Sequence, residues 1–387
     1  MYLDTFSKNE CSGCGSCMSV CSCRAITMES DEMGFHYPTI DSSLCVHCNL
    51  CKTACGFINT KERENSGKVR CFGFRHTDRA VLKASRSGGA FYAIAEEVIR
   101  SGGIVWGAAL CEDMVVRHIW IDTLDNLCKL QGSKYVQSDM EDSYPVVASQ
   151  LTAGNEVLFS GTACQIAGLN AFLTVKRIDC SKLLTCDIVC QGVPSPKLFS
   201  EHLEYLRKKH GSEISDFNFR DASRIGWEGH EESYIMNNER RFFSREYTTM
   251  HIKCLRESCF SCPFASLSRP ADITLADFWG VKEHYPNFYS DLGNSMVMIN
   301  TENGMCAFNK AKQETEVIEV DIERALQPRL CSPSQKPEDY DEFWKQYIEK
   351  GYLYCIKTYG RESFKSKLVY TVKPLLRRLN NYRMEKR

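Results

Sequence analysis

The chain has 387 residues, 43% hydrophobic and 25% charged, the balance of a soluble globular protein with room for one small and one larger domain. Its formal net charge of -1 gives no global attraction to nucleic acid, and no apolar run approaches the roughly 18 residues of a membrane span. The polar start lacks the basic-then-apolar layout of a secretory signal, so the expected location is the cytoplasm and the 22 cysteines read as metal or redox groups rather than disulfides.

Cys11, Cys14, Cys17 and Cys21 follow the spacing C-x2-C-x2-C-x3-C, and Cys45, Cys48, Cys51 and Cys55 repeat it. This is the run of bacterial two-cluster ferredoxins. A tight loop aims three thiolates at one 4Fe-4S cubane, while the fourth lies past the start of a short helix and points to the other cluster. The expected sets are Cys11, Cys14, Cys17 with Cys55, and Cys45, Cys48, Cys51 with Cys21. Ser12, Gly13, Gly15 and Ser16 keep the first loop small, where amides approach inorganic sulfur. Zinc, which takes four ligands from paired C-x2-C units, fits two tetrads of this spacing less well. Ser22 and Gly56 stand where proline follows the fourth cysteine in such runs, which removes no ligand. Cys23 lies outside the pattern and reads as packing. Between the runs, residues 25–40 read as a hairpin turning through Asp31 and Gly34.

Residues 61–68, charged and glycine-containing, read as a linker. Strands are expected at 69–74, 103–110, 156–160 and 183–189, and helices at 89–100, 162–173 and 196–210, the last opened by Ser195 as N-cap and Pro196. Such alternation predicts an α/β domain with a mixed or mostly parallel sheet. The fold class is therefore α+β and α/β: a small ferredoxin-like domain (1–62), a larger α/β domain (68–355) and a basic helical tail (356–387). The end of the chain, 361–387, holds nine Lys or Arg against two Glu, with leucines and valines among them. A helix of that kind docks on an anionic membrane surface or a partner, or else stays solvated.

Cys254, Cys259 and Cys262 are spaced C-x4-C-x2-C, the first three ligands of a plant-type iron–sulfur motif. The fourth ligand is expected from Cys190, which ends a buried strand, with Cys164 as the other choice. Cys71, Cys111, Cys128, Cys180, Cys186, Cys306, Cys331 and Cys355 are isolated and read as small apolar side chains. Ser87-Gly88-Gly89 before a helix, and Gly161-Thr162 before another, offer helix N-termini to phosphate. Lys134 is placed to put a cation beside the anionic edge of a reduced flavin.

These stretches together resemble the β subunits of coenzyme F420 hydrogenases and dehydrogenases. The resemblance is carried by Ser87-Gly88-Gly89, Lys134-Tyr135-Val136, Gly161-Thr162-Ala163-Cys164-Gln165 and Cys190-Gln191-Gly192-Val193-Pro194-Ser195. It extends through Cys254 to Pro263, Arg269-Pro270-Ala271-Asp272-Ile273 and Asp277-Phe278-Trp279-Gly280, over roughly residues 1 to 300. Members often have proline where Ala163 stands. The resemblance implies FAD, held by Ser87, Gly88, Gly89, Lys134, Tyr135, Gly161 and Thr162, and a 4Fe-4S cluster in the second domain. It implies an oxidoreductase exchanging electrons between a redox partner protein, clusters, flavin and a small organic substrate, and leaves that substrate open. The competing readings are an electron-transfer subunit with no substrate of its own, and a metal-stabilised scaffold. No catalytic acid stands out, although Asp221, Trp227, Asp272 and Asp277 lie in or near the motif stretches.

Overall fold

The computed structural model describes residues 6–60, 69–243, 245–360 and 372. The expected linker, 61–68, and nearly all of the expected basic tail lie outside them.

The amino-terminal hairpin forms as β1 (Ile26–Ser30) antiparallel to β2 (His36–Ile40), with Ile26 opposite Ile40. Asp31 makes its turn: the carboxylate accepts from the amides of Met33 and Phe35, at 3.1 and 2.9 Å. The larger part is built from β3 (Arg70–His76), β4 (Ile104–Leu110), β5 (Val116–Ile121), β6 (Val157–Thr162) and β7 (Leu183–Ile188). These are followed by β8 (Ile214–Asp221), β9 (Glu231–Met236), β10 (Glu239–Phe243), β11 (Ile273–Asp277), β12 (Ser295–Ile299) and β13 (Thr315–Val320). Eight strands make one sheet in the order β13-β3-β12-β11-β7-β6-β4-β5, and β8 to β10 form a separate antiparallel sheet.

The sheet is mixed. Its four central strands, β11, β7, β6 and β4, are parallel, and antiparallel strands extend it on both sides. Val157, Leu158 and Phe159 of β6 and Leu183 to Cys186 of β7 are buried, as strands covered on both faces require. The expected strands and helices form at their places, with ends shifted by a few residues. The antiparallel strands β5, β8 to β10, β12 and β13, and the parallel β11, were not legible. Ser295 to Ile299, for example, is a short, fully buried apolar run, which periodicity does not tell from buried helix. Of the isolated cysteines, Cys71, Cys186 and Cys355 are core residues, but Cys128, Cys180, Cys306 and Cys331 are exposed, so the apolar reading fails for these four.

The cysteine-rich segment is clasped to the large sheet through the helix Ala163–Lys176. Gly168 of that helix leaves room for Cys14: a Cβ there would lie 2.8 Å from the Cys14 Sγ and 2.9 Å from the Tyr144 hydroxyl. Lys176 Nζ donates to the Val20 carbonyl at 3.2 Å, and Gln137 Nε2 to the Ser12 carbonyl at 2.9 Å. On the other side Phe35 meets Trp344 of the helix Tyr340–Lys350 edge-on, with centroids 6.0 Å apart. Gly168→Ala should gain up to about 1 kcal/mol of helix propensity, yet we expect a net loss, because the new methyl collides with Cys14. Comparing the melting temperatures of the two proteins purified without oxygen checks the sign.

Two buried histidines make the fold acid-sensitive. His202 bonds the Tyr352 hydroxyl through Nδ1 at 2.8 Å, and burial lowers it to about 3. His118 lies between Ser138 Oγ and the Ser160 carbonyl, and burial lowers it to about 4. Both stay neutral when folded but take a proton at about pH 6.5 when unfolded. At these two groups the unfolded chain binds more protons between about pH 4 and 6.5, so their contribution to stability falls on acidification through that window. From about pH 7.5 to about pH 5.5 each histidine should cost about 1.4 kcal/mol. A His202→Gln variant should lose correspondingly less over the same range in denaturant titrations; an equal loss would contradict this.

Candidate functional site

The parallel strands deliver their carboxyl ends to one edge of the sheet. Open α/β sheets bind ligands there. β6 runs into Gly161-Thr162 and the helix Ala163–Lys176, with Cys164 in its first turn. β7 runs into Cys190, and β11 into Asp277 and Trp279. Because β6 and β7 pair directly, with Thr162 opposite Ile188, Cys164 and Cys190 come to the same place.

Cys164, Cys190, Cys259 and Cys262 line one cavity of about 40 Å³, well above the roughly 10–15 Å³ that one water needs. Burial pushes the Cys164, Cys190 and Cys262 thiols up to about 11 and Cys259 well above its ordinary value, and each is raised further by at least one of the others. Donors already face the sulfurs: the amides of Gly192 and Val193 point to Cys190 and Cys259 at 3.3 and 3.4 Å, and Thr162 Oγ1 lies 3.1 Å from Cys164. Arg329 lines the same cavity, and its Nη1 is buried with no partner among the described residues. Four thiols, convergent donors and a free guanidinium nitrogen are a receptacle for an anionic, sulfur-ligated group.

Cys254 is not part of it. It is a core residue among Met250, Leu198, Tyr352 and Cys355, raised by burial and then by Cys355. The physical reason is a backbone bridge between Pro194 and Leu255, with the Arg256 amide bonded to the Val193 carbonyl at 3.0 Å. The chain crosses to the cavity only after that bridge, so Cys259 and Cys262 reach it and Cys254 stays in the core. Of the expected set of Cys254, Cys259, Cys262 and Cys190, the last three line the cavity and Cys254 does not; the other expected choice, Cys164, lines it with them.

A second cavity, of about 30 Å³, is lined by Cys11, Cys14, Cys17 and Cys55. Burial, then Cys55, pushes Cys14 up to about 12, and Cys17 rises well above its usual value by burial and the charges of Cys14, Cys11 and Cys55. Cys45, Cys48 and Cys51 stand together: Cys51 is raised by burial and also by Cys48 and Cys45. Cys21 is half-buried at the end of the helix Ser16–Val20. Ser12 and Phe57 line both cavities, so the two are separated by little more than one layer of side chains.

The residues expected around a flavin divide. Gly88 lies against the Phe74 carbonyl and Ser295 amide, and Ser87 Oγ donates to the Asn294 carbonyl at 2.9 Å, so these two hold the following helix against β3 and β12. Gly89 is the left-handed N-cap of that helix. The Thr162 amide donates to Gln165 Oε1 at 2.9 Å, so the capping box of Thr162 and Gln165 occupies the helix start that was expected to hold phosphate, and Gly161 sits against Gln165 and His118. Lys134 is half-buried, donates to the carbonyls of Lys129 and Gln131, and is lowered to about 7 by burial and by Arg86. Arg86 Nε is itself buried without a partner among the described residues. Tyr135 neighbours Arg220, which pairs with Asp277 and stacks its guanidinium 5.3 Å over the exposed Trp279. Trp227 stacks on Trp279 at 5.0 Å, and its indole N–H donates to Asp277 at 3.0 Å. Asp221 accepts from Ser223 and Ser233, and Asp272 from Thr185 and Thr301, so both are held in structural bonds. Arg86, Arg220 and Arg329 escaped sequence reasoning, because isolated arginines carry no signal until the fold buries them.

The fold and this edge define an α/β protein with cysteine-lined cavities. Residues 154–325 match the family model for the carboxyl-terminal part of the coenzyme F420 hydrogenase/dehydrogenase beta subunit, and residues 10–57 match a 4Fe-4S dicluster domain. The chain therefore joins a 4Fe-4S dicluster segment to a segment that matches the coenzyme F420 hydrogenase/dehydrogenase beta subunit family, the combination of an iron–sulfur protein of the oxidoreductase type. No curated protein matches it. Among solved structures it is similar to a chain of the F420-reducing NiFe hydrogenase complex from Methanosarcina barkeri, studied by xenon derivatization. That similarity is 19% identity over 68% of this chain and 89% of that one, with a TM-score of 0.47. Among the described residues no helix is long and apolar enough to cross a membrane.

The cavity wall depends on a buried ion pair. Arg269 reaches Asp187 at 3.2 Å, both almost wholly buried, and also donates to the Ile188 carbonyl at 2.9 Å and to that of Phe264. Arg269→Met leaves the carboxylate buried without its charge partner, and should cost about 3–5 kcal/mol in a urea titration.

Proposed function

We propose that the protein is an iron–sulfur flavoprotein that moves electrons between a redox partner protein and a small organic substrate. The observation that carries this reading is the convergence of Cys164, Cys190, Cys259 and Cys262 on one cavity that shares Ser12 and Phe57 with the cavity of Cys11, Cys14, Cys17 and Cys55. We assign a 4Fe-4S cubane to each of these sets, and a third to Cys45, Cys48, Cys51 and Cys21. Thiols raised by burial and by one another need a cationic core to ionise, so the donor chemistry fits an iron–sulfur group. Such groups carry single electrons, and a flavin joins them to two-electron chemistry at a substrate.

For the flavin, Arg86 and Lys134 are the residues that fit. An unpartnered buried Nε beside a half-buried lysine is a site for an anionic edge or a phosphate. Ser87 and Gly88 also pack the following helix against β12 and β3, and Thr162 is engaged in its own capping box. A reading as an electron-transfer subunit without its own substrate has one observation in its favour. Leu44, Val46, Leu50 and Ile58 are exposed apolar residues of the same segment as the exposed Cys48, the kind of surface a partner would cover.

Protein purified without oxygen should hold about twelve iron atoms and about one flavin per chain. Cys164→Ser should lower the iron by about four, whereas Cys254→Ser should leave it unchanged. Full iron in Cys164→Ser, or loss in Cys254→Ser, would overturn the assignment. Full iron with no flavin would favour the subunit reading.

A further inference from the structure

Arg256 is the largest wholly buried side chain of the protein among the described residues. Its guanidinium lies between the two adjoining cavities. Nε donates to the Cys11 carbonyl at 2.7 Å and Nη2 to that of His36 at 2.8 Å, while Nη1 donates to Gln137 Oε1 at 3.1 Å. Nη2 also lies 3.7 Å from Cys11 Sγ. The same side chain lines the cavity of Cys164, Cys190, Cys259 and Cys262, and its charge acts on Cys164. Its face rests on the Tyr37 ring at 4.1 Å.

All of these hydrogen-bond and ring partners are neutral. Among the described residues Arg256 forms no ion pair, unlike Arg269 of the same cavity, which has Asp187. A buried guanidinium without an anion is strongly unfavourable. Gly13 shows that the position is built for it: φ is +67°, and a Cβ there would lie 2.7 Å from Arg256 Nη1. A cubane held by four thiolates carries net negative charge and becomes more negative on reduction.

We propose that Arg256 is the shared counter-cation of the two neighbouring clusters and sets their reduction potentials together. The inference rests on the cluster assignment above and adds a role for a residue that ligates neither. A fixed buried positive charge favours the reduced, more negative state of each cluster. It therefore raises both potentials and leaves the cluster of Cys45, Cys48 and Cys51 almost untouched. Arg256 is a positioning residue: it acts through its field and its bonds to the Cys11 loop.

The test is a potentiometric titration, followed by electron paramagnetic resonance, of the full chain with iron counted in every sample. In Arg256→Gln two of the three cluster midpoints should move to more negative potential at unchanged iron content, and Arg256→Lys should restore most of the shift. Gln137→Glu, close in shape, sets a carboxylate against the guanidinium and should move the same two midpoints in the same direction. Unmoved midpoints in Arg256→Gln and Gln137→Glu at full iron would overturn the proposal. So would loss of iron in every variant, which would give Arg256 a purely structural role. Failure of the cluster assignment itself appears separately, as a wild-type iron content short of about twelve.

Discussion

Four thiols cannot share a buried cavity as thiolates unless positive charge stands among them. Burial raises each thiol, and every thiolate raises the next, as Cys14 with Cys55 and Cys259 with Cys190 show. The architecture around the sheet edge answers that constraint. Amides of Gly192 and Val193 turn toward sulfur, and Arg329 and Arg256 line the wall. Arg269, which brings its own counter-charge in Asp187, ties the ends of the segments that carry Cys190 and Cys262.

The same constraint explains how the cysteine-rich segment docks. A cavity at its surface would leave Cys11, Cys14 and Cys17 in water. Here Gly168 and Tyr144 close over Cys14, and Gln137 and Arg256 fasten the loop at Ser12 and Cys11. Docking thus does two things at once: it dries one cavity and sets it beside the other. Cys48, at the far end of the segment, stays exposed with apolar neighbours. At the carboxyl edge of the sheet Arg220, paired with Asp277, lies over the exposed ring of Trp279.

The large sheet is the ruler for this arrangement. Parallel pairing of β6, β7 and β11 brings three chain segments, far apart in sequence, to one edge in fixed register. A pleated strand fixes where its end falls to within a residue, which a loop does not. Cys164 and Cys190 inherit that precision, and Cys259 and Cys262 join them through the bridge of Pro194 with Leu255.

The amino-terminal cysteine runs were legible because their chemistry is local: ligand spacing within a tight loop is a property of the sequence itself. The partition of Cys55 to the first set was readable for the same reason, since the short helix turns the fourth side chain away. The helices and most of the parallel strands were readable from periodicity and caps, with Ser195 and Pro196 the clearest case. Spacing misled at Cys254, where C-x4-C-x2-C looks like a ligand run, but a backbone bridge turns its first member into the core. At Gly88 and Thr162 the structure adds what spacing does not show: the glycine lies against strand backbone and a side chain fills the cap. Only the tertiary structure decided that Cys164 stands beside Cys190, because strand adjacency is a pairing between distant segments. Only it decided that Arg256 is buried between two sets of thiols, because burial and charge compensation belong to the assembled fold and leave no mark in the local sequence.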